Sequence, residues 1–170
     1  MAIVLTAAIA GAAMYYFQVY AFYEELPEGE VVLTTVGGVE EPILADGFAG
    51  IDSESSPLRY RACFETPQSL AMLTETHVIR DDAAPRNAPG WFGCFDAEAI
   101  GAAVESGEAV VFLGTENIVY GVDRVFAIFP DGRGYGWHEI NACGEVVFDG
   151  QPVPEDCPDP DDFPVEQSDG

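Results

Sequence analysis

The chain opens on a long apolar run and then changes character. Residues 2–23, AIVLTAAIAGAAMYYFQVYAFY, carry no charged side chain. A run of that length suffices for a helix crossing a hydrocarbon core of ~30 Å, so the pattern predicts a transmembrane anchor over residues 1–23. A cleaved signal peptide is the alternative. It wants a positive n-region, and no Lys or Arg precedes the run, although Ala10-Gly11-Ala12 supplies small residues for a cleavage site. The first half of the run is small. Ala7 with Gly11 and Ala8 with Ala12 form small-xxx-small pairs that let a second helix approach closely. The second half is aromatic, with Tyr16, Tyr20 and Tyr23 on one face at i, i+4, i+7. That face reads either as an interfacial belt in a lipid bilayer or as a packing surface for integral membrane subunits.

Beyond residue 23 the periods shorten. Residues 24–30, EELPEGE, form an acidic connector with Pro27 to end the helix. Val31–Val36 is β-branched and predicts a strand, and short strands are expected around the Asp46-Gly47 turn. In LRYRACF, residues 58–64, Leu58, Tyr60, Ala62 and Phe64 alternate with Arg59, Arg61 and Cys63. Thr66-Pro67 opens one short helix; Asp96 caps a second, DAEAIGAAVES, which Gly107 ends. Two strands, 122–129 and 133–140, flank the hairpin turn Pro130-Asp131-Gly132, which sets Phe126 opposite Gly136 and Ile128 opposite Gly134. Val146–Phe148 predicts a last strand. Residues 151–170 hold five Pro, seven acids and no base, too little apolar surface to order alone. The fold expected is α+β: one N-terminal transmembrane helix, then a mainly antiparallel sheet domain with two short helices over residues 31–150, and an acidic tail.

Charge narrows the partners. Thirty Asp and Glu against six Arg give a net charge of −24. Nucleic acid is excluded as a partner, because it requires basic patches. The acidity suits a salty environment, a docking face for a basic soluble protein, or divalent cations, though no D-x-D-x-D-G calcium loop is present.

Four cysteines, Cys63, Cys94, Cys143 and Cys157, contain no C-x-x-C. Two disulfides are expected in an exported domain, favouring Cys63 with Cys94 and Cys143 with Cys157 among three connectivities. This places residue 1 in the cytoplasm and the domain in the periplasm. His138, Glu139 and Cys143 lack the spacing of a metal site or a Cys-His nucleophile, and no cofactor is expected. Gly132-Arg133-Gly134-Tyr135-Gly136 sits on a hairpin and so is no dinucleotide loop. Arg59 and Arg61, together with the shallow Gly134/Gly136 face, are the candidate ligand or anion contacts; neutralisation of neighbouring carboxylates is the plainer role for the arginines.

The stretches AMYYFQVYAFYEE, SSPLRYRACF, SLAMLTET, NAPGWFGCFDAEAIGAA and DRVFAIFPDGRGYGWHEINACGEVVFDG resemble a family of uncharacterised bacterial envelope proteins with a single N-terminal span. That resemblance implies an anchored domain and no activity; with the anchor and the disulfides, the localisation expected is the bacterial inner membrane, single-pass. The function expected is a non-enzymatic accessory subunit of a larger membrane complex, photosynthetic or respiratory, with a free-standing ligand-binding or sensor domain and an enzyme of unrecognised type as alternatives.

Overall fold

The computed structural model describes residues 2–20 and 22–163; residue 1, assigned above to the cytoplasm, and the last seven residues of the acidic tail lie outside them. Helix α1 spans Ala2–Val19. It is followed by β1 (Glu24–Leu26), β2 (Val31–Thr34), β3 (Glu40–Ile43), β4 (Asp46–Asp52) and β5 (Arg61–Glu65). Helices α2 (Leu70–Thr76) and α3 (Ala97–Ser106) precede β6 (Val110–Leu113), β7 (Val122–Ile128) and β8 (Arg133–Ile140), and α4 (Ala142–Phe148) closes the series. The domain is α+β. One antiparallel sheet has the order β1-β4-β5-β8-β7-β6, and β2 and β3 form a separate hairpin.

The membrane anchor is corrected. Among the described residues no helix is long and apolar enough to cross a membrane. The 18 residues of α1 rise only ~27 Å against a core of ~30 Å. The chain turns after α1, and β1 begins at Glu24, inside the stretch predicted as a connector. The inner-membrane, single-pass localisation falls with the anchor. What stands are two disulfides, Cys63–Cys94 and Cys143–Cys157, of the kind that an oxidising compartment outside the cytoplasm preserves.

Period-2 alternation splits the sheet into two faces. On one, Phe64, Phe112, Phe126 and Ile128 pack against Val31 and Leu33 of the β2–β3 hairpin and Leu73 of α2. On the other, Cys63, Val111, Val125, Ala127 and Trp137 pack against Ile100 of α3 and Phe95. Burying each of these large side chains contributes about 1.5–3 kcal/mol. Helix α3 is defined at both ends by local chemistry: Asp96 accepts a hydrogen bond from Ala99 N–H (3.1 Å), and Gly107 takes the left-handed conformation at φ 76°.

Two expectations about secondary structure fail for a visible reason. Residues 146–148 are helical, because Asn141 Oδ1 accepts from Gly144 N–H (3.0 Å) and starts α4 there. The strand over 58–64 starts only at Arg61, because Pro57–Arg59 forms a 3-10 turn capped by Ser56.

Candidate functional site

Among the described residues, helix α1 meets the domain through the aromatic side chains at its C-terminal end. Tyr20 stacks on Trp91 (ring centroids 5.9 Å, interplanar 18°), and Tyr23 meets the same indole edge-on. Tyr16 stacks on Tyr20 in turn (6.1 Å). The Arg59 guanidinium lies 5.5 Å from the Tyr23 ring centroid and donates to Ser55 Oγ (3.1 Å). Away from this seat the described side chains of the helix, residues 3–17, are exposed. Ile3 is 85% exposed, Ile9 62% and Tyr16 57%. The predicted packing residues Ala7, Ala8, Gly11 and Ala12 are exposed as well, and a Cβ added at Gly11 would meet nothing. An apolar helix of low amphipathicity is ordinarily buried all round; this one has no cover among the described residues.

Arg59 and Arg61 do not converge. Arg61 is buried and held by backbone carbonyls: Nε donates to Arg86 O (2.8 Å), Nη1 to Leu58 O and Tyr60 O (2.9 and 2.6 Å), Nη2 to Asn87 O (3.1 Å). Burial lowers its pKa from the ordinary arginine value. Its task is to tie the loop after Arg80 to the start of β5. The Gly134 and Gly136 face is likewise filled. A Cβ at Gly134 would fall 2.2 Å from Phe64 Cζ, and one at Gly136 would fall 2.6 Å from Phe126 Cε1. The register places Phe126 opposite Gly136 and Ile128 opposite Gly134, as the hairpin turn implies. These glycines admit the protein's own rings rather than a ligand.

Sequence reasoning missed two polar constellations. Across one end of the sheet, Arg124 faces His138 in the β7–β8 register. Arg124 Nε donates to His138 Nε2 (3.0 Å), its guanidinium lies 4.1 Å from the Tyr60 ring centroid, and Tyr60 stacks on His138 at 4.6 Å. The other imidazole nitrogen, Nδ1, donates to the Pro57 carbonyl. Burial, reinforced by the Arg124 charge, pulls the His138 pKa down to about 3, so the ring is neutral. Burial also pushes the Tyr60 hydroxyl up to about 12 and raises the Asp52 carboxyl. The second constellation surrounds the fully buried Asp123. Its Oδ2 accepts from Arg80 Nη1 (2.6 Å), and its Oδ1 accepts from Asn117 N–H (2.9 Å) and Asn141 Nδ2 (2.7 Å). The pairing of Phe126 with Gly136 already implies the Arg124–His138 row two residues along, which is the signal that was available.

Arg124, His138, Arg80 and Asp123 are therefore engaged in structure. All four cysteines are oxidised. Among the described residues no group of three His, Cys, Asp or Glu side chains could hold a metal. One open cleft of about 470 Å³ runs between α3 and the start of β8, lined by Asp96, Ala99, Ala103, Glu108, Phe129 and Tyr135 among others.

No curated protein and no solved structure matches the chain. Residues 31–158 match a family of unknown function, DUF6446. The matched region runs from β2 past Cys157, so it contains both disulfides and leaves α1 and β1 outside. The chain belongs to the DUF6446 family.

Proposed function

We propose that this protein is a non-enzymatic accessory subunit that docks onto a larger protein assembly by inserting α1 into a groove of a partner protein. One observation carries the reading: an uncharged helix stands with its apolar side chains in water while its far end is clamped on Trp91. Leaving Ile3, Val4, Leu5 and Ile9 exposed forgoes about 1.5–3 kcal/mol apiece. A helix laid in an apolar groove recovers that free energy, and the uniform hydrophobicity of α1 suits a deep groove better than a shallow one. The acids that follow it, Glu24, Glu25, Glu28 and Glu30, call for a groove whose mouth is basic.

The state of the chemistry-bearing side chains supports a role without catalysis. His138 is neutral and bonded at both ring nitrogens, and the cysteines are paired. A general base needs a reachable lone pair, and a thiol nucleophile needs a free sulfur.

The test is the native mass of the full chain purified from its source cells without cross-linking. The expected result is a particle of fixed stoichiometry with other chains, lost in an Ile9→Glu variant whose melting temperature is unchanged. A protein that always runs as a lone monomer, or only as copies of itself, overturns the proposal.

A further inference from the structure

Residues 152–163 follow α4 as a strap with no strand and only a 3-10 turn, Pro160–Asp162. Their hydrogen bonds stay within the segment: Cys157 N–H donates to Pro154 O (3.1 Å), Phe163 N–H to Pro160 O (3.1 Å) and Asp161 N–H to Asp159 Oδ1 (3.0 Å). Among the described residues, none of the strap's hydrogen bonds reaches the sheet. Two other ties hold it. One is the Cys143–Cys157 bridge to α4. The other is Phe163, whose ring meets Tyr120 edge-on (centroids 6.0 Å, interplanar 63°).

The residue under this contact is incompletely satisfied. Tyr120 is 9% exposed, and its buried hydroxyl has no hydrogen-bond partner among the described residues. A buried tyrosine hydroxyl ordinarily finds one, and leaving it unpaired costs free energy that contact with water restores. The closed strap therefore works against itself at Tyr120. The loop that carries Tyr120 is fixed without the strap: Gly121 N–H donates to Asn117 Oδ1 (3.0 Å), and Gly121 O accepts from Asn141 N–H (3.0 Å).

We propose that the Cys143–Cys157 bridge is a redox latch, and that a dithiol reductant opens it and lifts the strap off Tyr120. One thiolate of the reductant attacks Cys157 Sγ, the Cys143–Cys157 bond breaks, and Cys143 leaves as a thiolate. The second thiol of the reductant then displaces Cys157. The dithiol ends as a disulfide, its two electrons have passed to the bridge, and both cysteines take up protons as thiols. Both are half-buried and so within reach of a reductant. The other bridge is held differently. Cys63 is buried, and the loop that leads to Cys94 is also fastened by Arg61 at Arg86 and Asn87 and by Glu139 at Ala84 N–H. Its thiols stay close after reduction and reclose at high effective concentration, whereas those of Cys143 and Cys157 part. The reduced form presents Tyr120, beside the part-exposed Val119, as an apolar surface carrying one free hydroxyl. This latch does not depend on α1.

The experiment treats the full oxidised chain with increasing dithiothreitol, then with N-acetylimidazole, which acetylates accessible tyrosine hydroxyls; mass spectrometry after thiol alkylation assigns the modified residues. The expected result is alkylation of Cys143 and Cys157 at a dithiol level that leaves Cys63–Cys94 intact. Acetylation of Tyr120 should rise about tenfold in the same samples, while Tyr60, buried in the sheet, stays protected. A Cys143→Ser/Cys157→Ser variant should show the raised Tyr120 acetylation without reductant. Tyr120→Phe leaves no hydroxyl unpaired under the strap, so half-reduction of its bridge should need about threefold more dithiol. Tyr120 that stays protected once the bridge is cut overturns the proposal. So does Tyr60 acetylated in step with Tyr120, which is unfolding, or Cys63–Cys94 reduced first, or an unchanged half-reduction point in Tyr120→Phe. Should the serine variant fail to fold, the reduced parent alone decides between the two results.

Discussion

Replacing His138 with glutamine should change how stability depends on acidity, and the size of the change follows from the geometry. In the native state the imidazole donates to Pro57 O, accepts from Arg124 Nε and has a pKa of about 3. In the unfolded chain its pKa is the ordinary 6.5. Between these values the unfolded state binds a proton that the native state refuses. Stability therefore falls as pH falls through 6.5, and it keeps falling until about 3. The loss from this one group is about 0.2 kcal/mol at pH 7 and about 2 kcal/mol at pH 5. Asp52, raised by burial, acts in the opposite direction, but it is common to both proteins and cancels in the comparison. Urea unfolding of parent and His138→Gln at pH 7, 6 and 5 gives the difference directly. The variant is the less stable at pH 7, by about 1–3 kcal/mol for lost packing and hydrogen bonds. Its deficit should shrink by about 2 kcal/mol on going to pH 5. If the two stability curves run parallel between pH 7 and pH 5, the buried neutral imidazole is wrong.

Two further outcomes are expected. Asp123→Ala leaves Arg80 unpaired and strips the acceptor from Asn117 N–H and Asn141 Nδ2; thermal and urea unfolding should show a loss of about 3–5 kcal/mol. Replacing Cys143 and Cys157 together by serine opens a loop with a separation of 14 residues; the unfolded state gains about 3 kcal/mol of chain entropy, and the melting temperature should drop by roughly 6–12 °C by calorimetry.

What could be read from the sequence was local. The period-2 runs and the Pro130-Asp131-Gly132 turn lead to β7 and β8 in the expected register, because a three-residue loop determines which residues face each other. Asp96 and Gly107 bound α3 where expected, because capping acts within one turn. The opening run misled because its 22 uncharged residues do not form one continuous helix: α1 stops at Val19, and β1 begins at Glu24. Val146, Val147 and Phe148 favour a strand by propensity, yet the Asn141 cap commits them to helix. The Arg59/Arg61 pair was misread because a 3-10 turn at Pro57–Arg59 breaks the alternation that placed both on one face. Tyr60, Arg124 and His138 come from three separate segments, and only the assembled sheet brings them together.

The tie made by Arg61 has a dynamic consequence. The segment between Arg80 and α3 contains no strand or helix, and on backbone grounds it would be the first part of the domain to exchange its amides. Yet it is fixed to the sheet by Arg61 at Arg86 and Asn87, by Glu139 at Ala84 N–H, and by the Cys63–Cys94 bridge. Opening it requires pulling a buried guanidinium off two carbonyls, Arg86 O and Asn87 O, a cost that moving an untethered surface loop does not carry. The amides of this irregular segment should therefore exchange more slowly than its lack of strand or helix alone suggests.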